Sequence, residues 1–180
     1  MKFISFYDFD VNLGIFSLVY AMIFLQLGSN IGDRHFNLVE CLKNIEDSIG
    51  KIINQSKIYV SECWGVERQR DYFNMVVAVK TMFQPTEVLK TISVIENTMG
   101  RVRKKKWDSR IIDIDILFFD KQIIKSRELV VPHKHLHERM FVLKPLADLA
   151  PFFIHPELKK NIKQLIKECK DDGKVFENEL

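Results

Sequence analysis

Hydrophobic and polar positions follow two different periods along the chain, and these predict strands and helices in turn. Apolar runs rich in β-branched and aromatic residues occupy 22–27, 51–60, 72–83 and 111–119. We interpret these four runs as strands, because such residues favour a pleated, half-buried surface. Apolar residues at helical spacing over 33–49 and 85–99 predict two helices between them.

The two predicted helices carry recognisable start and stop signals. Asp33 is a good N-cap and Pro85 suits a first helical turn, while Gly50 and Gly100 follow the last apolar positions. We expect the apolar stripe of the first helix to consist of Phe36, Val39, Leu42, Ile45 and Ile49. We expect that of the second helix to consist of Val88, Leu89, Ile92, Ile95 and Met99.

The C-terminal third predicts further helices rather than a second sheet. A short hairpin partner is expected at 122–124, a helix at 141–150 stopped by Pro151, and an amphipathic helix at 158–169. The charged tail at 171–180 is expected to be frayed.

From residue 22 the predicted order is βαββαβ, followed by helical additions. This order is typical of the ferredoxin-like α+β fold, an antiparallel sheet with helices on one face. We therefore expect one domain over 22–170, with 1–21 as an N-terminal extension. The apolar run at 11–27 lacks a positive n-region and leads into a Gly-Ser-Asn turn, so we interpret its second half as a core strand rather than a membrane span.

Composition and charge narrow the class of protein. The chain has 180 residues, 47% hydrophobic and 28% charged, with a net charge of only +3, which does not suggest nucleic-acid binding. Its three cysteines are widely spaced and indicate a reducing compartment rather than disulfides or zinc. These features predict a cytoplasmic protein without nucleic-acid or membrane partners, and we expect a monomer.

The segment 101–119 combines cations with two acids and is the main candidate for chemistry. Six cationic side chains and one acid lie between 101 and 110, directly before the strand IIDIDILFF. Asp113 and Asp115 lie on one face of that strand, about 7 Å apart along the chain. Two such carboxylates favour Mg²⁺, and the neighbouring cations favour phosphate. The alternative is an edge strand with two solvated acids beside a basic loop.

The roles of several other candidate residues depend on which side chains lie near them. Tyr72 and Asn74 share a strand face and place an aromatic ring beside an amide that suits a heterocycle edge; an ordinary strand edge is the alternative. Glu96 lies within reach of the cations and suits either a ligand or an arginine. His133 beside Arg139 suits a phosphate better than zinc. Neither a G-x-G-x-x-G nor a P-loop motif is present.

In combination, these motifs resemble the 6-hydroxymethyl-7,8-dihydropterin pyrophosphokinase family. The matching motifs, in order, are LGSNIGD at 27–33, DYFN at 71–74, Glu96 followed by GRVR at 100–103, W-x-x-R at 107–110, IDIDIL at 112–117, VPH at 131–133 and R-x-F at 139–141. The ordered set covers about 22–151 and is far more specific than the two acids alone.

The resemblance implies an activity and a set of site residues. The family transfers the β,γ-pyrophosphoryl group of ATP to the pterin hydroxymethyl group and releases AMP in folate biosynthesis, using two Mg²⁺ ions. It implies that Asp113 and Asp115 bind the metals and, with Arg101, Arg103 and Arg110, form the catalytic set. The implied nucleotide contacts are Glu96, Arg103, Trp107, Ile116, His133 and Arg139. The implied pterin contacts are Gly28, Ser61, Trp64, Tyr72, Asn74, Trp107 and Phe141.

The chain departs from the usual family pattern at three places. Glu62-Cys63 replaces prolines after the second strand, Asp108-Ser109 interrupts W-G-P-R, and Lys134 stands where an aromatic is frequent. The competing hypothesis is a ferredoxin-like RNA- or nucleotide-binding module without catalysis. The chain lacks the aromatic RNA-binding strand motif and places two acids where phosphates would lie.

Overall fold

The computed structural model describes residues 20–62, 70–100 and 110–178. The strands in chain order are β1 Ala21–Ser29, β2 Lys51–Gln55, β3 Tyr59–Ser61, β4 Tyr72–Thr81, β5 Asp113–Phe119, β6 Ile124–Lys125, β7 Val130–Val131 and β8 Val175–Glu177. The helices are α1 Arg34–Ser48, α2 Pro85–Thr98, α3 Met140–Leu149 and α4 Ile162–Glu168, with a 3₁₀ turn at Leu136–Glu138. The prediction of a mixed helix and antiparallel-sheet fold is confirmed.

β1 and β4 form the centre of the main sheet. The strand order is β5-β1-β4-β3-β8, and β2 pairs with β4 on the same edge as β3. Every pairing is antiparallel. β1 and β4 pair along nine residues each and are almost wholly buried, which explains why their sequences are nearly continuous apolar runs.

Alternate residues of the central strands build two separate cores. On one face, Leu25 and Val77 pack with α1 and α2, and we call this the α1/α2 face. On the other, Phe24 and Val76 pack with α3 and α4, and we call this the α3 face. A bulge on β5 directs both Leu117 and Phe118 to the α3 face, where Phe118 packs against Phe24 and Phe153.

Both predicted N-terminal helix signals are confirmed, but the stripe of α1 is partly wrong. The Asp33 carboxylate accepts from the Phe36 backbone N–H at 3.0 Å, and α2 starts at Pro85. Phe36 and Val39 are exposed, whereas Leu38 and Cys41 are buried with Ile45. The apolar residues of α1 are consistent with either face, and the position of β1 selects the face that contains Leu38 and Cys41.

The second predicted strand is divided at Ser56. The Ser56 hydroxyl accepts the Val76 N–H at 2.9 Å, so a side chain replaces a ladder bond and separates β2 from β3. The expected hairpin partner at 122–124 is also wrong, because β6 pairs with β7 instead of β5. A turn in which Gln122 N–H donates to Phe119 C=O redirects the chain there.

The expected frayed tail is wrong at β8. β3 has an open edge, and β8 pairs with it antiparallel while Val175 is buried. Lys57 and Glu177 form an ion pair at 2.6 Å beside this pairing. The last helix is shorter than expected because Asn161 and Gln164 form a capping box that starts α4 at Ile162. Within the described residues, no helix is long and apolar enough to span a membrane.

Candidate active site

A patch of polar side chains lies on the α3 face, at the end of the sheet away from the Phe118 core. Strand register brings Asp113 opposite Gly28, and Gly28 opposite Asn74. In the next row, Asp115 lies opposite Gln26. Directly paired residues point to the same face of a sheet, so these five residues form one surface, which we call the polar patch.

The two predicted metal-binding carboxylates lie together in the polar patch. Arg110 donates a hydrogen bond to the Asp113 carboxylate. Desolvation and then repulsion by Asp113 raise the pKa of Asp115 to about 7, with further repulsion from Glu96, while Arg139 and Arg110 act in the opposite sense. Charging Asp115 is therefore costly in the protein alone, and a bound cation would remove that cost.

The donor set fits Mg²⁺. Both side chains offer hard oxygen ligands, and Mg²⁺ in proteins commonly uses one or two carboxylates together with waters and substrate phosphates. Within the described ranges there is no cluster of three or more His, Cys, Asp or Glu side chains that would form a closed metal cage. Asp113 and Asp115 would therefore hold the ion and leave coordination positions to a phosphate ligand.

Gly28 creates space between the acids and the predicted pterin residues. A Cβ at Gly28 would lie 3.6 Å from Asn74 Oδ1 and 3.7 Å from a ring carbon of Tyr72, in ordinary van der Waals contact with both. A larger side chain would fill the space above the polar patch. Tyr72 and Asn74 therefore share a face beside this space, as predicted.

Ser61 joins this side of the site through Asn74. Asn74 Nδ2 donates to Ser61 Oγ at 2.9 Å, and both residues are buried. Ser61 lies at the end of β3, opposite Tyr72 in the pairing with β4. Three of the predicted pterin contacts are thus adjacent in the fold, although they are up to thirteen positions apart in the chain.

A cationic and imidazole group lies on the other side of the acids. The His133 backbone N–H donates to Leu117 C=O at 3.0 Å, which anchors it against β5. Burial, then the positive charge of Arg139 and of His135, lowers the pKa of His133 to about 4, so its ring is neutral at pH 7. The Arg139 guanidinium carbon lies 5.8 Å from the Phe141 ring centroid. Arg139 therefore lies close enough to His133 to affect its charge, and close to the ring of Phe141 as well.

Two of the predicted nucleotide contacts, Glu96 and Ile116, direct their side chains into the protein. Glu96 is buried, with its carboxylate accepting the Ile114 backbone N–H at 2.9 Å, so it holds the edge strand. The Ile116 side chain packs in the core of the α1/α2 face, away from the carboxylates. Its backbone groups point away from β1, like those of Ile114, because alternate residues of a strand direct these groups the same way.

Sequence reasoning missed two residues of the site. Gln26, treated only as a strand residue, lies buried in the polar patch opposite Asp115. Asn30 exchanges two hydrogen bonds with the Arg110 backbone, at 2.7 Å through its side chain and 3.1 Å through its N–H. Asn30 thereby fixes where the basic segment meets β5. The predicted residues Arg101, Arg103, Trp107 and Trp64 lie outside the described residues.

The family assignment follows from comparison with known proteins. The model of the 7,8-dihydro-6-hydroxymethylpterin-pyrophosphokinase (HPPK) family matches residues 24–151. The chain belongs to this family. The match includes every described residue of the site and therefore the whole polar patch.

Relatives of known name agree with this HPPK assignment. The chain is 37% identical over 148 residues to the 2-amino-4-hydroxy-6-hydroxymethyldihydropteridine pyrophosphokinase of Aquifex aeolicus, covering 82% of this chain and 92% of the relative. It is 38% identical over 141 residues to the enzyme of the same name from Porphyromonas gingivalis, covering 76% and 95%.

The fold is similar to that of a larger protein. A crystal structure of Plasmodium falciparum HPPK-DHPS with pterin and p-hydroxybenzoate matches with a TM-score of 0.68 at 20% identity, over 83% of this chain. This chain spans 42% of that protein. At this identity the likeness concerns the fold alone.

Proposed function

We propose that the polar patch and the space above it form the active site of an ATP-dependent pyrophosphokinase of folate biosynthesis. The acceptor is the hydroxymethyl group of 6-hydroxymethyl-7,8-dihydropterin, and the products are the pterin diphosphate and AMP. One observation carries the assignment of the site. Asp113 and Asp115 share one strand face, and Asp113 lies opposite Gly28, which has no side chain and separates it from Asn74.

The transfer balances without any covalent intermediate on the protein. The hydroxymethyl oxygen forms a bond to the β-phosphorus of ATP, and the bond from that phosphorus to the oxygen shared with the α-phosphate breaks. AMP leaves with that oxygen, and the hydroxyl proton is released to solvent. The protein therefore has to position the two substrates and neutralise charge, which is the main requirement of phosphoryl transfer.

Asp113 and Asp115 are the proposed ligands of two Mg²⁺ ions. When bound, these ions supply neutralisation of the phosphate charge and polarisation of the attacking hydroxyl. Arg110 remains close to Asp113 and would move its guanidinium toward phosphate oxygens, with Arg101 and Arg103 as further proposed phosphate contacts. Arginine suits this role because its planar donors match phosphate oxygens.

The nucleotide is proposed to lie along the side of β5 that contains His133 and Arg139. The neutral His133 ring accepts the His135 backbone N–H at Nδ1, 3.3 Å away, which leaves its Nε2–H as a donor, while Arg139 supplies positive charge. Ile116 would contribute its backbone groups, and Trp107 would cover the nucleotide. Glu96 supports this side by holding the Ile114 N–H, which keeps the edge of β5 in place.

The pterin is proposed to lie above Gly28, stacked between Tyr72 and Phe141. Stacking suits a flat heterocycle because it contributes contact area at low entropic cost. Asn74, supported by Ser61, would read one polar edge of the ring. Trp64 would complete this side.

The wider description of the protein is proposed on the same grounds. The order β1-α1-β2-β3-β4-α2-β5, in which β2 and β3 both pair with β4 as one divided strand, has α1 and α2 on one face and supports a ferredoxin-like core with α3 and α4 as C-terminal additions. We propose a monomeric cytoplasmic enzyme, with 1–21 as an extension of the 22–170 domain. Its partners would be small molecules rather than nucleic acid or membrane, because the partly buried acids of the polar patch would repel a phosphodiester backbone.

A product assay tests the proposed reaction. The protein is incubated with ATP, Mg²⁺ and the pterin alcohol, and the nucleotides are separated by chromatography. AMP and the pterin diphosphate are expected in equal amounts, and both should disappear when the pterin or Mg²⁺ is omitted. Formation of ADP, or no turnover that depends on the pterin, would contradict the proposal.

A further inference from the structure

Gln26 is a buried amide in the centre of β1 whose side chain the proposed reaction does not use. It is 4% exposed and lies between Asp115 on one neighbouring strand and Val76 on the other. An apolar residue would fill this position without the cost of burying a carboxamide. Such a buried polar side chain therefore calls for a specific role.

The orientation of the Gln26 amide follows from its two neighbours. Its Nε2 donates to Leu27 C=O at 3.3 Å and to Asn74 Oδ1 at 3.2 Å. A backbone carbonyl only accepts hydrogen bonds, so the nitrogen rather than the oxygen of Gln26 must face Leu27. The same nitrogen then meets the oxygen of Asn74.

This contact also determines the orientation of Asn74. Asn74 Nδ2 donates to Ser61 Oγ at 2.9 Å and lies 3.5 Å from Tyr72 C=O, so both of its hydrogens are directed into the protein. Asn74 Oδ1 accepts from Gln26 and keeps one lone pair, on the side where a Cβ of Gly28 would lie 3.6 Å away. Asn74 therefore presents an acceptor, and not a donor, to the space above Gly28.

The oxygen of the Gln26 amide is buried as well. Its Oε1 has no hydrogen-bond partner among the residues that the structure describes. A buried acceptor without a partner costs free energy. A buried Oε1 without a partner shows that the Gln26 amide is kept for its donor to Asn74, whose Oδ1 favours a ligand edge that carries N–H groups.

We propose that Gln26 is a positioning residue that orients Asn74 as a hydrogen-bond acceptor for the N–H edge of the pterin. This inference rests on the proposed pterin site. Gln26 acts on the pterin through Asn74, by the hydrogen bond from its Nε2 to Asn74 Oδ1. It has no part in holding the nucleotide.

Binding measurements on a matched pair of variants test the proposal. Gln26→Met keeps the length of the side chain and removes the amide, and Gln55→Met is the control on the exposed end of β2. Dissociation constants are measured by calorimetry for the pterin, with a non-hydrolysable ATP analogue and Mg²⁺ present, and for the analogue alone. Gln26→Met should weaken pterin binding about tenfold, the value of one well-placed hydrogen bond, and leave analogue binding within about twofold.

A double-mutant cycle tests whether Gln26 affects pterin binding through Asn74. In an Asn74→Ala background, Gln26→Met should cause little further loss of pterin affinity, because the residue that it orients is already absent. Losses that multiply independently would overturn the proposal. So would a Gln26→Met protein that binds the pterin normally but Mn²⁺ more weakly in the absence of both substrates, because Gln26 would then act on the metal.

Two further measurements distinguish a failure of this inference from misfolding of the variant and from a failure of the proposed reaction. If Gln26→Met melts well below the wild-type protein, Gln26→Leu replaces it, since a smaller apolar side chain also lacks the donor to Asn74 and predicts the same loss of pterin affinity. Absence of AMP formation by the wild-type protein would overturn the proposed reaction, whereas the role of Gln26 is decided by the binding constants.

Discussion

The two faces of the central sheet are built from alternate residues of the same strands, yet one face is wholly an apolar core and the other also carries the candidate site. On the α1/α2 face, Leu25 and Val77 pack under two helices in a continuous apolar core. On the α3 face, the apolar core extends only as far as Phe24 and Val76. Beyond it the same strands carry Gln26 and the other residues of the polar patch.

This difference shows how one strand can serve stability and chemistry together. A side chain on the α1/α2 face affects the free energy of unfolding, because its neighbours are apolar and fully packed. A side chain in the polar patch sits in an environment that costs free energy in the protein alone, as the raised pKa of Asp115 shows. Substitutions on the two faces should therefore separate stability from activity.

The largest expected effect is on the polar patch. Asp115→Ala should lower kcat by about 10³-fold, since loss of a group that places charge at the reacting phosphate costs a factor of this order. Its melting temperature should stay equal to or above that of the wild-type protein, because a costly buried charge is removed. AMP formation and thermal melts are measured together, with Asp47→Ala on the exposed side of α1 as the control. Near wild-type turnover would remove Asp115 from the catalytic set.

For Leu25, which adjoins Gln26 in β1 but packs on the α1/α2 face, we expect a loss of stability without a loss of activity. Leu25 is fully buried, so Leu25→Ala should lower the free energy of unfolding by about 2–5 kcal/mol through lost burial and a cavity. Its kcat at low temperature, normalised to the folded fraction, should match that of the wild-type protein. Urea denaturation gives the free energy of unfolding, and AMP formation at about 15 °C gives kcat. A large fall in kcat of the folded protein would show that the two faces are not separable.

An intermediate effect is expected from filling the space at Gly28. Gly28→Val places methyl groups against Asn74 Oδ1 and the Tyr72 ring, so the KM for the pterin should rise at least about tenfold. The KM for ATP should change less, because the nucleotide is proposed to lie on the far side of the acids. Steady-state kinetics with each substrate varied in turn gives both constants, and Lys51→Val at the exposed start of β2 is the control. An equal rise in both constants would contradict a separate pterin space.

The smallest expected effect is on the pH dependence of stability. The folded state raises the pKa of Asp115 to about 7, so it binds a proton more tightly than the unfolded chain, whose aspartates titrate near about 4. The contribution is favourable below pH 4 and is lost as pH rises from about 4 to about 7. In EDTA, Asp115→Asn should therefore gain stability over wild type at pH 8 relative to pH 4.5, by about 3 °C in melting temperature or more.

Comparing Asp115→Asn with the wild-type protein isolates the effect of the Asp115 carboxylate. His133, whose lowered pKa makes the fold lose stability as pH falls from about 6.5 to about 4, is present in both and cancels in the difference. Thermal melts at several pH values give the result. A difference between the two proteins that does not vary with pH would show that Asp115 is not desolvated in the fold.

Part of the candidate site was predictable from local pattern. Asp113 and Asp115 share a face because side chains alternate along any strand, and the same rule joins Tyr72 to Asn74. The Asp33 cap and the start of α2 at Pro85 are likewise local, since each depends on residues within one helical turn. These features needed no knowledge of which strands pair.

The remaining features depend on pairing between distant segments. The sequence shows Gln26 as one polar residue in an apolar run, and only the register of β1 with β4 and β5 sets it between Asn74 and Asp115. The face that α1 buries and the pairing of β8 with β3 were mispredicted for the same reason, because partners come from elsewhere in the chain.

The sequence by itself therefore determined the type of most elements, the two adjacent carboxylates and, through the ordered motifs, the family. The tertiary structure decided which of those residues meet: Gly28 between Asp113 and Asn74, and Gln26 beneath them. The physical reason is that periodicity of side chains is local, whereas register is set by the packing and hydrogen bonding of whole strands. A one-residue change in the register of one of these strands would move that strand's residues of the polar patch to the opposite face.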